Sequence, residues 1–94
     1  MTKHDILAFL KSNKKLISKQ FQVNQIGLFG SYANGTEKLE SDIDLIVSMP
    51  SNLDLFFNLK NFLQTNLGKE IDLALEKSMR LFIKEAIKDD VIYV

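Results

Sequence analysis

Two aspartates stand two residues apart at the head of an otherwise apolar run, Ser41-Asp42-Ile43-Asp44-Leu45-Ile46-Val47. Strand alternation sends both side chains to one face, with Cα atoms about 6.6 Å apart. At a carboxylate separation of about 5 Å and an effective dielectric near 20, the two charges repel by roughly 3 kcal/mol, on the order of two pKa units. A compensating charge is therefore expected. A third carboxylate, Asp72, occupies a polar position of the alternating run Glu70-Ile71-Asp72-Leu73-Ala74-Leu75. Three oxygen-bearing groups converging from two strands suit Mg²⁺ or Mn²⁺. The plainer alternative is a pair of exposed aspartates relaxing into water at a strand end, with Asp72 as one more charged residue beside a strand.

A second feature supplies the complement. Gly30-Ser31 follows a short apolar run, and small residues there let backbone amides approach an anion, helped by the partial positive charge of a helix N-terminus. Gly-Ser alone is a common turn. Joined to the carboxylates it describes a phosphate cradle at the end of one strand and a metal-binding pair on the next, which suits a metal-bound triphosphate.

The elements that must position these residues can be read from periodicity. Ile6, Leu7, Phe9, Leu10, Leu16 and Ile17 recur as on one face of a helix from Thr2 to about Lys19, with Thr2 and Asp5 placed to cap it. Gln25 to Phe29 and Ile43 to Val47 read as buried strands. Between them, Asn34-Gly35 could close a hairpin, but the flanking residues do not alternate, so one short helical turn opened at Gly30-Ser31 and closed by Gly35 is expected instead. Ser51 or Asn52 caps a helix from about Leu53 to Leu67 that ends at Gly68. A third strand puts Ile71, Leu73 and Leu75 on one face and Asp72 with Ala74 on the other. Ser78 is expected to open a helix bearing Leu81, Phe82, Ile83 and Ile87, and Val91 to Val94 to make a last strand. The expected fold class is α/β (α+β), a small mixed β-sheet covered by helices.

Composition bounds the partners. Residues 1–94 are expected to form one domain. Twelve basic and twelve acidic residues cancel, so no overall positive field exists to hold extended nucleic acid by counterion release, although a single nucleotide remains possible. The absence of cysteine excludes disulfides, thiolate metal sites and cysteine nucleophiles. Without a signal-peptide h-region or an apolar run of transmembrane length, a cytoplasmic location and no membrane partner are expected.

Leu28-Phe29-Gly30-Ser31-Tyr32-Ala33-Asn34-Gly35 followed by Ser41-Asp42-Ile43-Asp44-Leu45 resembles the signature of the minimal nucleotidyltransferases of the DNA polymerase β superfamily: Gly-Ser, ten residues (Tyr32 to Ser41), then Asp-x-Asp. The resemblance runs over nearly the whole chain, and the later carboxylate that the family places on a neighbouring strand matches Asp72. It implies a nucleotidyltransferase fold and transfer of AMP from ATP to an acceptor hydroxyl. In that scheme Gly30 and Ser31 hold the β- and γ-phosphates, Asp42 and Asp44 bind the metal, and Asp72 completes a second metal site and helps deprotonate the acceptor. Many members carry arginine beside the serine or before the second glycine; Tyr32 and Asn34 stand there in this chain, and Lys38 is the candidate substitute charge. Proteins of this size in the family are best known as antitoxins that adenylylate a tyrosine of a partner HEPN-domain ribonuclease toxin, which makes a hetero-oligomer the expected state. The alternatives are an aminoglycoside-type enzyme, which usually needs extra helices around the sugar, and a catalytically silent binding module of the same fold.

The helix from about Leu53 to Leu67 adds one further expectation. Its apolar residues cover an arc of roughly 220° where a one-sided surface helix needs little more than 100°. Either a partner protein covers the surplus, or the final helix packs beside it.

Overall fold

Thr2 and Asp5 close the expected capping box, the Thr2 hydroxyl accepting from the Asp5 amide and the Asp5 carboxylate accepting from the Thr2 amide. In the computed structural model, which describes Met1–Val94, the helix that follows does not run through to Lys19. It breaks at Asn13 into α1 (Lys3–Ser12) and α2 (Lys14–Phe21). Asn13 leaves helical geometry, and its side-chain amide donates to the Phe9 carbonyl. The same carbonyl accepts from the Asn13 backbone amide at 3.0 Å, so Asn13 holds the end of the first helix with two donors while the second starts in a new direction. The break rotates Leu16 outward to 37% exposure, while Ile6, Leu10, Ile17 and Phe21 stay buried.

The remaining elements follow the sequence reading closely. They are β1 (Gln25–Phe29), the one-turn helix α3 (Ser31–Asn34), β2 (Ile43–Ser48), α4 (Leu53–Leu67), β3 (Ile71–Leu75), α5 (Leu81–Ile87) and β4 (Ile92–Tyr93). Asn52, rather than Ser51, caps α4 by accepting from the Leu55 amide, and Gly68 ends it in the left-handed region. Ser78 does not open the last helix. It closes a 3₁₀ turn over Glu76–Ser78, and α5 starts after Arg80 with no side-chain cap.

The strands form one mixed four-stranded sheet in the order β3-β2-β1-β4. β1 lies antiparallel to both β2 and β4, and β2 is parallel to β3 through the α4 crossover. This is the expected α+β architecture. Alternation divides the sheet into two unlike faces. Ile26, Leu28, Ile43, Leu45, Val47, Ile71 and Leu73 join Leu59, Leu63 and the α1–α2 residues in the main core. The opposite face carries Gly27, Asp44, Ile46, Asp72 and Ala74.

The surplus apolar arc of α4 is covered differently from the expectation. Its Phe62 packs against Phe9 and Phe21, with ring centroids 6.1 and 5.5 Å away, so the α1–α2 pair flanks α4 on that side in place of the final helix. Leu53 and Phe57 stay 72% and 53% exposed. No helix is long and apolar enough to cross a membrane.

Candidate active site

The site is built where β1 ends and β2 begins. At the end of β1 the chain turns through Gly30, whose φ of 74° and ψ of −153° belong to a region open essentially to glycine. The Gly30 carbonyl accepts from the Ala33 and Asn34 amides, each at 3.1 Å, and so starts the single turn of α3. Gly35, also at positive φ, closes it. Asn34 then fastens the following loop by accepting from both the amide and the hydroxyl of Thr36, at 3.1 and 2.6 Å. Tyr32, the other residue standing where the family often has arginine, is buried in the core.

β2 returns antiparallel to β1 and sets Asp44 opposite Phe29, next to Gly30. The parallel register with β3 sets Asp44 directly beside Asp72. A Cβ on residue 30 would overlap the Asp44 carboxylate at Oδ2, so the glycine is what admits that carboxylate against the turn.

The two aspartates of the Asp-x-Asp run are not equivalent. Asp42 is exposed and precedes the strand, whereas Asp44 lies within it and is half-buried. Burial pushes the Asp44 carboxyl up to about 6; the charge of Asp72 and a hydrogen bond with it come next, and the charge of Asp42 adds least. The strain anticipated between Asp42 and Asp44 therefore resides mainly between Asp44 and its surroundings. Asp44 and Asp72 are brought together as a pair. Asp42 stands nearby, and no three acidic or histidine side chains converge to ligand spacing.

Lys38 has an exposed side chain, and its backbone amide donates to the Ser41 hydroxyl at 2.8 Å. Lys69 is the basic residue that periodicity did not reveal. Its ammonium donates to the Leu39 carbonyl at 2.9 Å and lies 5.9 Å from the centroid of the Tyr32 ring. It thus ties the loop leading to Asp42 onto both α3 and the start of β3. No sequence pattern marks it, because its partners are a distant carbonyl and a ring reached only through the fold.

Residues 7–94 match the nucleotidyltransferase domain family. The chain is 35% identical over 97 residues to the protein adenylyltransferase MntA of Thermococcus cleftensis, covering 100% of this chain and 97% of that one. A solved structure of a protein assigned as a minimal nucleotidyltransferase superposes with a TM-score of 0.84 at 24% identity, covering 98% of this chain and 95% of the other. The structure of a tri-AMPylated Shewanella oneidensis HEPN toxin in complex with MNT antitoxin superposes with a TM-score of 0.59 at 21% identity, covering 88% of this chain and 69% of the other. The last two likenesses establish the fold.

Proposed function

The chain belongs to the nucleotidyltransferase domain family, and from that premise we propose that it transfers AMP from ATP to a tyrosine hydroxyl of a partner HEPN-domain ribonuclease toxin, acting as an antitoxin within a hetero-oligomer. The observation that carries the reading is the register of Asp44 with Asp72 beside the Gly30-Ser31 turn. It sets an acid pair beside a glycine turn at one end of a sheet face, an arrangement that supports the reading of the turn as a phosphate cradle.

An all-oxygen donor set with a half-buried carboxyl raised to about 6 fits a hard divalent cation, which would supply the missing positive charge. Asp44 and Asp72 would hold it, as Mg²⁺ or Mn²⁺, with exposed Asp42 turning toward the pair to complete the set, and when bound it would neutralise the triphosphate and polarise the α-phosphate. The chain's own residues do the rest. The Ser31 hydroxyl and the first-turn amides of α3 hold the β- and γ-phosphates. Asp72, exposed on the edge strand β3, is open to an arriving acceptor and takes the proton of its hydroxyl. The hydroxyl oxygen forms a bond to the α-phosphorus, the bond from that phosphorus to the pyrophosphate oxygen breaks, and pyrophosphate leaves.

A protein acceptor fits the shape of the site. The acid pair stands on an open sheet face, and the cavities of the molecule are lined by other residues. A small sugar would need walls that an open face does not supply, whereas a folded partner brings its own surface. The Thermococcus cleftensis relative is a protein adenylyltransferase and the Shewanella oneidensis HEPN toxin is tri-AMPylated in its complex with MNT antitoxin, and both support the same acceptor class.

The test is incubation of the chain and its co-purified partner with ATP labelled at the α- or the γ-phosphate. Label from the α position should appear on the partner, in steps of AMP by mass spectrometry and at tyrosine by peptide mapping. Label from the γ position should not. Transfer of γ-label would make the enzyme a kinase, and absence of pyrophosphate release with Mg²⁺, ATP and partner would leave only a binding module.

A further inference from the structure

The face that carries the acid pair continues past it. Two residues beyond Asp44 on β2, Ile46 points the same way and is only 3% exposed, although it lies outside the main core. It floors a cavity of about 310 Å³ beneath α5, walled by Ile87, Val91 and Tyr93, with Glu76 and Lys84 among its charged lining. The volume is at the lower end of the range for small-molecule sites.

Gly27 explains how an aromatic wall comes to lie there. A Cβ on residue 27 would come within 2.6 Å of Val91 Cγ1 and 2.9 Å of Tyr93 Cδ1. The bare backbone of β1 therefore lets the Tyr93 ring lie down on the sheet, while the residue remains 44% exposed. An apolar floor, an aromatic ring with open surface, and a lining that leaves Lys84 and Glu76 as donor and acceptor beside the paired Glu85 and Lys88 form a setting for a flat, polar-edged heterocycle. Its distance from the acid pair is set by the strand, since Asp44 and Ile46 are about 6.6 Å apart along β2. That is about the span of the ribose joining an α-phosphate to its base.

We propose that this cavity receives the nucleoside of the donor nucleotide, with the base stacked on Tyr93. The assignment rests on the adenylyl-transfer reading and extends it from the phosphates to the base. It makes the chain selective for a nucleoside triphosphate over a bare polyphosphate, using residues of α5 and β4 that lie outside the Gly-Ser and Asp-x-Asp signature.

The experiment compares, by titration calorimetry in Mg²⁺, the affinity of the full chain for ATP and for ribose 5-triphosphate, which lacks the base. The wild-type chain should bind ATP roughly tenfold or more tightly than ribose 5-triphosphate, the scale expected of one stacked base. Tyr93→Leu should lose about that factor for ATP and little for ribose 5-triphosphate, and Tyr93→Phe, which keeps the ring, should restore it. Equal affinity of the wild-type chain for the two ligands overturns the inference whether or not any variant folds. So does a Tyr93→Leu variant that weakens both ligands alike, or one that keeps its ATP affinity and raises KM for the acceptor protein, which would give the cavity to the acceptor. If neither ligand binds the wild-type chain, the phosphate cradle itself is misread and the nucleoside site falls with it.

Discussion

Gly30 and Asp44 occupy overlapping space: the position a Cβ would take on the glycine is filled by the carboxylate of the aspartate. The turn and the acid are therefore one constraint. Gly30→Ala adds the strain of a positive φ, on the order of 1–3 kcal/mol, to a direct collision with Asp44. The relaxed variant must move either the carboxylate or the turn. A displacement of about 1 Å at such a centre costs roughly a hundredfold in rate. The expected outcome is a lower urea midpoint together with a loss of pyrophosphate release of at least that size. Wild-type turnover in Gly30→Ala would show that the close approach has no part in catalysis.

The raised carboxyl of Asp44 makes stability depend on pH in a defined direction. In the unfolded chain it titrates near 3.8, and in the folded metal-free chain near 6. Its favourable contribution is thus complete below about 3.8 and is lost as pH rises through about 6. Asp44→Asn removes the charge and with it the penalty. In chelator, the variant should melt above the wild-type chain at pH 7.5, and the difference should shrink as pH falls to 4. Addition of Mg²⁺ at pH 7.5 should raise the wild-type melting temperature and leave Asp44→Asn nearly unmoved. A difference independent of pH between 4 and 7.5 would contradict the assigned titration.

Lys69 binds a loop carbonyl and an aromatic ring at once, so its removal should be felt in two readouts. Lys69→Ala should cost about 1–2 kcal/mol of stability. Because the fastened loop ends at Asp42, KM for ATP should also rise. Lys69→Arg keeps both a donor and a cation over the ring and should recover most of each loss. If the alanine variant keeps the wild-type KM, the fastening is structural only.

Leu55 and Phe57 lie two residues apart on α4 but belong to different surroundings. Leu55 packs against the core, whereas Phe57 is 53% exposed and touches Phe56 edge-on, with ring centroids 5.5 Å apart. Leu55→Asp should be strongly destabilising because it buries a charge without a partner. Phe57→Asp should stay within about 0.5 kcal/mol of wild type. It should still lose co-purification with the partner if this margin of α4 is part of the docking surface. Retention of the complex in a folded Phe57→Asp chain would remove that margin from the interface.

These contrasts show which parts of the molecule are written locally. The bounds of α4 are legible because Asn52 and Gly68 are residues that stop helices by their own chemistry, and α3 is legible from Gly30 and Gly35. The break at Asn13 was hidden, since apolar periodicity continues across it and an asparagine that leaves helical geometry, with backbone and side-chain amides both on the Phe9 carbonyl, leaves no mark in that pattern. The start of α5 was misplaced because Ser78 suits a helix cap and a 3₁₀ turn equally well. At the site, residue types announced Asp42, Asp44 and Asp72 together, yet their inequality comes from burial first and from pairing second, and both depend on the fold. Asp44 lies within β2 against the Gly30 turn, where burial raises its carboxyl, and the register that sets it beside Asp72 raises it further. Lys69, Gly27 and Tyr93 gave no signal for the same reason: each matters through a neighbour far away in the chain.

The parallel pairing of β2 with β3 also bears on the order in which the protein gains its parts. Asp44 and Asp72 sit on strands separated by the whole of α4, so their meeting closes a long loop and cannot be made by local contacts. The Gly30 turn and the β1–β2 pair have shorter separations and can form sooner. A refolding chain should accordingly regain helical signal before transfer activity, with activity rising only as β3 docks. The acid pair is in this sense a clock on the last stage of folding, and a nascent chain still lacking β3 would hold a phosphate cradle and no working enzyme.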